Sequence, residues 1–93
     1  MINAQGKSKV VDASTTIVAT VARILGVMIT AGANAASVKL MDGGASGTQK
    51  TATLNAGTGT SAHWNFPNGI QCSTSIYATI TGTTPEVAVE FED

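Results

Sequence analysis

The chain has 93 residues, enough for one domain with its own core but not for two. Only 12% of the residues are charged, about half the usual share, and the formal net charge is −1. A nearly neutral chain has no field to attract nucleic acid or an anionic membrane, and 43% hydrophobic residues favour folding over disorder. The composition therefore excludes nucleic-acid and membrane-surface binding and favours a compact domain.

Cysteine usage and apolar runs narrow the class of protein further. Cys72 is the only cysteine, so an internal disulfide is impossible. This excludes a small secreted domain that is stabilised by several disulfides. The polar N-terminus lacks the apolar segment of a signal peptide. The most apolar stretch, residues 17–31, is interrupted by Thr20 and Arg23 and is too short for a transmembrane helix.

The first thirty residues predict an arm and then a strand. Residues 1–12 are expected to form a flexible N-terminal arm before a single domain over residues 13–93. Residues 10–30 are ambiguous, because some apolar residues recur at helical spacing while the many β-branched residues favour strands. From Arg23 onward we predict one strand with both faces apolar, covered by a second sheet and by another subunit or layer. Its predicted faces are Leu25, Val27 and Ile29 on one side, and Ile24 and Met28 on the other.

In the rest of the chain, short segments with a strand pattern are separated by turn signals at regular intervals. Turn signals recur about every 8–15 residues, including Pro-Asn-Gly at 67–69, which tolerates a tight turn. Between them, apolar and polar residues alternate over residues 37–41, 50–54, 62–66, 70–72, 76–80 and 87–91. This pattern predicts an all-β fold, a small antiparallel β-sandwich or jelly-roll-like barrel of about seven to eight short strands.

No group of residues has the spacing of a catalytic, cofactor or metal site. His63 is the single histidine and has no second ligand nearby, so we expect it at the surface or in an interface. The Gly-rich run 42–50 resembles a phosphate loop only faintly, because its lysine does not follow the last glycine and a strand pattern follows. Glu90 and Glu92 could accept a cation, but a solvated strand edge is the preferred interpretation. We therefore expect no enzyme activity, no cofactor, no metal and no small-molecule substrate.

The few aromatic residues and the thiol are assigned to the core. Trp64 and Phe66 are expected to anchor it, and Cys72 is expected to be a small core hydrophobe. A stacking platform for bases or sugars needs several exposed aromatic side chains with basic neighbours, and the sequence lacks that combination.

The polar surface predicts a protein that packs in assemblies. A surface of Thr, Ser, Ala and Gly loses little desolvation energy against a partner, and many copies can multiply modest contacts. All basic residues lie in the first 50 positions and most acids near the C-terminus, so opposite charges could meet between copies, although a solvated acidic terminus is the simpler alternative. The expected interface residues are Lys7, Lys9, Val10, Arg23, Ile24, Met28, Glu90 and Glu92.

Two stretches carry a resemblance to a known class of protein. They are RILGVMI at 23–29 with ASVKLMDGG at 36–44, and GIQCSTSIYATITGTTPEVAVEF at 69–91. Over roughly residues 15–92 the chain resembles small β-sandwich virion proteins of tailed bacteriophages, of the capsid decoration or cement type.

The resemblance implies a structural role with no catalytic residues. The chain would be made in the host cytoplasm and sit on the capsid surface of the virion. There, as a homotrimer, it would bind the major capsid protein and stabilise the contacts between capsomers. The alternative is a phage tail or fibre component that attaches to the host through the Gly-rich loops at 42–48 and 55–60.

Overall fold

The structure, a computed structural model, describes residues 6–93 and is built from β-strands. The described residues form no helix, and therefore none that could cross a membrane. The strands are β1 (Lys7–Val11), β2 (Thr15–Val18), β3 (Ala22–Thr30), β4 (Ala36–Asp42), β5 (Thr48–Gln49), β6 (Leu54–Ala56), β7 (Ser61–Cys72), β8 (Ile76–Thr81) and β9 (Glu86–Glu92).

The strands form two antiparallel sheets packed face to face. Sheet A has the order β1-β9-β3-β7, and sheet B has the order β2-β8-β4-β5 with β6 also paired to β4. The chain crosses between the sheets repeatedly, so sheet A is assembled from strands that are not consecutive in sequence, whereas β4, β5 and β6 of sheet B follow one another. This architecture confirms the predicted all-β fold as a small antiparallel β-sandwich.

The core lies between the sheets and follows the predicted alternation most closely in β8 and β9. In β9, Val87 and Val89 are fully buried and Phe91 nearly so, while the intervening side chains face outward. Cys72 is also fully buried, as predicted. Full burial of a side chain such as Val89 contributes about 1.5–3 kcal/mol, so this alternation is a main source of the stability of the sandwich.

A β-bulge in β3 changes which residues face the core. Ile24 pairs with Phe91 and Gly26 with Glu90, so Leu25 is an extra residue on β3. The extra residue reverses the alternation, and Ile24 is fully buried on the same side as Val27. The prediction that Ile24 belongs to an interface is therefore wrong, and Leu25, predicted to share a face with Val27 and Ile29, is only half-buried while those two are buried.

A second, larger bulge interrupts β7. Asn65 pairs with Gly26 and Ile70 with Ile24, so residues 66–69 bulge out and β7 then continues in the same direction. The Pro-Asn-Gly segment is thus not the predicted turn between two strands. Proline is tolerated because β7 is an edge strand, and Gly69 adopts a positive φ of 72°.

The predicted aromatic anchors lie at this edge of the core. Trp64 and Phe66 are half-buried and pack against the core rather than inside it, with their rings edge to face at 6.4 Å. Phe66 is the first of the bulged residues 66–69, which lie at the edge strand of sheet A.

The strand predicted at 50–54 is replaced by two shorter ones beside β4. Between β5 and β6, the Lys50 N–H donates to the Leu40 carbonyl at 2.9 Å, and the Leu40 N–H donates to the buried Thr51 hydroxyl at 3.1 Å. The Thr51 hydroxyl here accepts the Leu40 N–H in place of the carbonyl of a paired strand. The Leu40 N–H therefore keeps a hydrogen-bond partner where regular strand pairing is interrupted.

The N-terminal segment is a strand and not an arm from Lys7 onward. Lys7–Val11 pairs with β9 along its whole length, and Val11 packs against the core. The open edge of β9 supplies backbone partners that an unpaired arm would lack, which explains the difference. The remainder of the predicted arm, residues 1–5, lies outside the described residues.

Candidate interaction surface

A row of mostly apolar side chains crosses all four strands of sheet A on its outer face. Val10 pairs with Ala88, Ala88 with Met28, and Met28 with His63, so these residues from β1, β9, β3 and β7 lie side by side. Val10 is 61% exposed and Met28 43% exposed, and both are large hydrophobic side chains in water. This cross-strand row gives the sheet an apolar centre on its solvent side.

The charge on the same face is predominantly negative. Glu86, Glu90 and Glu92 alternate along β9 and point away from the core. The Arg23 guanidinium lies 3.5 Å from the Glu92 carboxylate at one end of the face. Within residues 6–93, Glu86 and Glu90 have no ion-pair partner.

A depression of about 260 Å³ lies between the apolar row and Glu90. Ala88 lies opposite Met28, and Gly26 lies opposite Glu90. Because Ala88 has a small side chain and Gly26 has none, the surface of the sheet is recessed at this point. A Cβ atom added at Gly26 would lie 2.6 Å from Glu90 Oε1, so the Glu90 side chain extends across β3. The lining side chains are Ser8, Met28, His63, Ala88 and Glu90.

The structure brings together only some of the residues predicted to form an interface. Val10, Met28 and Glu90 share the outer face of sheet A, and Arg23 and Glu92 lie at its end. Ser8 and Ala88 were missed as members, whereas His63, expected at the surface or in an interface, lies on this face. The signal that could have found Ala88 is the alternation of β9, which places it on the same face as Glu90.

Lys7 and Lys9 do not lie on this outer face. They lie on the edge strand β1, on the side that faces sheet B. They pair with Phe91 and Val89, whose side chains face the core, so both lysines extend from the inner side of the β1 edge. Lys9 Nζ donates to the Thr16 carbonyl of sheet B at 3.3 Å, and Lys7 Nζ lies 2.8 Å from Asp93 Oδ1.

These contacts give the two lysines roles within the chain. The hydrogen bond and charge of Lys7 lower the pKa of Asp93 below its usual value. Inward-pointing charges on an edge strand also oppose pairing with a strand of another molecule.

The loop at 42–48 is fixed by a carboxylate. Asp42 accepts hydrogen bonds from the backbone N–H groups of Ser73, Thr74 and Ser75 at 2.9–3.2 Å, and from the Ser73 hydroxyl at 3.2 Å. The Ser73 N–H is the largest cause of a lowered Asp42 pKa, since these donors favour the charged carboxylate. The start of this loop is thereby fastened to the turn between β7 and β8.

The other Gly-rich loop lies at the opposite end of the molecule. The Gly59 N–H donates to the Gly32 carbonyl, and the Ala31 N–H to the Thr60 carbonyl, both at 2.9 Å. Loop 42–48 follows the end of β4, whereas β6 pairs with the start of β4, where Ala36 lies opposite Ala56. The length of β4 therefore separates the two loops by roughly 20 Å.

The described part of the chain provides no ready metal site. Within residues 6–93, no group of three or more His, Cys, Asp or Glu side chains comes together as metal ligands would. Burial raises the pKa of the Cys72 thiol above its usual value, so this cysteine is a poor nucleophile.

Comparison of the chain with protein-family models, with curated proteins and with solved structures gives no match.

Proposed function

We propose that this chain is a structural virion protein that decorates the outer surface of a tailed-phage head. It binds the major capsid protein and stabilises the contacts between capsomers, as a homotrimer in the assembled particle. The observation that carries the proposal is the outer face of sheet A, where Val10 and Met28 are exposed in an apolar row that crosses the sheet. The resemblance over roughly residues 15–92 to capsid decoration proteins supports the same role.

The energetics of this face suit a protein present in many copies. Burial of an exposed Val or Met side chain contributes about 1.5–3 kcal/mol at most, before the costs of association are subtracted. A single copy would therefore bind weakly through Val10 and Met28. Trimer formation would add the contacts of three copies, because the second and third contacts form at high effective concentration.

The tail or fibre alternative assigns recognition of the host to the two Gly-rich loops. The loops at 42–48 and 55–60 lie at opposite ends of β4, and the first is fastened by Asp42. A single receptor site would therefore contact only one of them. For this reason we place that alternative second.

The test is cryo-EM of the particle that carries this chain, with the copy number counted from the map. We expect many copies arranged with the symmetry of the capsid shell, and sheet A facing the shell. Met28→Glu, which puts a charge in the apolar row, should lower the affinity of each copy for the shell roughly tenfold, the equivalent of about 1.4 kcal/mol, and thereby lower occupancy. Asn55→Glu makes a similar charge change at an exposed position of β6, on sheet B, and should leave occupancy unchanged.

Two outcomes would contradict the proposal. A few copies confined to one vertex or to the tail would reassign the chain to attachment or tail structure. Equal occupancy of the two variants on a decorated shell would remove the outer face of sheet A as the contact surface.

A further inference from the structure

We infer that the depression on the outer face of sheet A is a socket for an arginine side chain of a partner protein. The inference rests on the proposed function for the identity of that partner, which would be the capsid shell. The socket itself is defined by Ser8, Met28, His63, Ala88 and Glu90.

The size of the depression suits one side chain. Its volume of about 260 Å³ lies below the roughly 300–1,000 Å³ of pockets that hold drug-sized ligands. Ala88 keeps the floor low, and the absence of a side chain at Gly26 lets Glu90 reach across β3. The result is a short trough with a carboxylate beside it.

The charge of the socket calls for a cation. Glu90 has neither an ion-pair partner nor a side-chain hydrogen bond within residues 6–93, so its carboxylate is available to an incoming group. The remaining glutamates of β9 keep the face negative, with Arg23 already paired to Glu92. A bare metal ion would find one carboxylate and one imidazole, too few ligands for a stable site.

The walls of the socket favour arginine over lysine. The guanidinium group is planar and weakly hydrated, stacks on flat ring systems and pairs with a carboxylate through two parallel N–H bonds. Met28, exposed at 43%, offers a polarizable thioether, and the exposed His63 offers a ring face. The ammonium group of lysine is strongly hydrated and would gain less from these neighbours.

The test is an NMR titration of the full chain with small probes. N-acetyl-arginine amide should shift the signals of Gly26, Met28 and Ala88 in a saturable manner, with a dissociation constant on the order of millimolar. N-acetyl-citrulline amide, which has the same shape without the charge, should produce no saturable shift. N-acetyl-lysine amide should bind more weakly than the arginine probe.

Two glutamate variants distinguish binding in the socket from a general attraction of the cationic probe to the acidic face. Glu90→Gln should weaken binding of the arginine probe by roughly three- to fivefold, the scale of an exposed ion pair. Glu86→Gln removes the same charge from the same strand outside the depression, and should bind as the unmodified chain does. Melting temperatures of both variants should equal that of the unmodified chain, since both side chains are exposed.

Three results would overturn the socket: equal binding of the citrulline or lysine probe, no saturable shift, or equal weakening by Glu90→Gln and Glu86→Gln. The particle experiment reports separately on the proposed function. If the arginine probe binds but the particles carry the chain only at a vertex, the socket stands and the decoration role is wrong. If the shell is decorated but the arginine probe does not bind, the decoration role stands and the socket is wrong.

Discussion

At the scale of single residues, Asp42 joins separate parts of the fold through more hydrogen bonds than any other side chain among residues 6–93. Its two carboxylate oxygens accept the three successive backbone N–H groups of residues 73–75. Those groups lie in the tight turn between β7 and β8, which links sheet A to sheet B. A carboxylate at the end of β4 thus fastens the turn between the consecutive strands β7 and β8 to a strand that lies 31–33 residues away in sequence.

Acid should weaken the protein through Asp42. Because the folded pKa is lowered, its stabilising effect is complete above the unfolded pKa of about 4 and is lost as the pH falls through the folded pKa. Asp42→Asn should therefore melt several degrees lower at neutral pH, and the difference from the unmodified chain should shrink in acid. Thermal unfolding followed by circular dichroism at a series of pH values measures this.

The matched control for this prediction is Asp12→Asn, an exposed aspartate without a side-chain hydrogen bond among residues 6–93. Its unfolding profile should follow that of the unmodified chain. The lowered pKa of Asp93 is common to all three proteins and cancels in the comparison. Coinciding profiles for Asp42→Asn and the unmodified chain would show that the Asp42 hydrogen bonds do not stabilise the fold, and a constant offset would show that the charge of the carboxylate is not what stabilises it.

At the scale of elements, alternation predicts strands well where the pairing is regular. The patterns at 76–80 and 87–91 correspond to β8 and β9, which have continuous register with β4 and β1. In β3 the extra residue Leu25 breaks the alternation, so a strict period of two assigns Ile24 to the wrong face. Gly26 was the only available signal, because a glycine inside a strand pattern often marks a bulge.

Strand β1 is the element whose role differs most from the sequence-based expectation. Deletion of residues 1–12 should lower the melting temperature and promote self-association, because it uncovers the edge of β9 and removes the inward charges of Lys7 and Lys9. Differential scanning calorimetry and sedimentation velocity of the truncated and full chains measure these effects. An unchanged melting temperature in a monomeric truncated chain would show that β1 is dispensable for the fold.

At the scale of the whole molecule, the sandwich is a slab of 42 × 31 × 18 Å with a broad outer face on each sheet. The candidate surface takes Val10, Met28, His63 and Ala88 from four strands spread along the chain. Periodicity shows which of these side chains point outward. It does not show which strands are neighbours, so the sequence predicted several members of the surface without predicting that they form a row.

Global stability can be followed through Cys72, the single thiol. Since Cys72 is fully buried and burial raises its pKa, an aromatic disulfide reagent should label it only when the sandwich unfolds. The labelling rate should rise with urea in step with unfolding measured by circular dichroism, with a slope of about 1 kcal/mol per molar urea. A labelling rate independent of urea would indicate that β7 opens locally at its edge.

The position of β9 has a consequence for how the protein is made. β9 is the last of the described strands in chain order, yet it lies inside sheet A between β1 and β3. During translation β1 therefore remains unpaired until β9 has been synthesised, at roughly 5–20 residues per second. Sheet A cannot close before β9 has emerged, so this sheet forms only after nearly all of residues 6–93 have been translated.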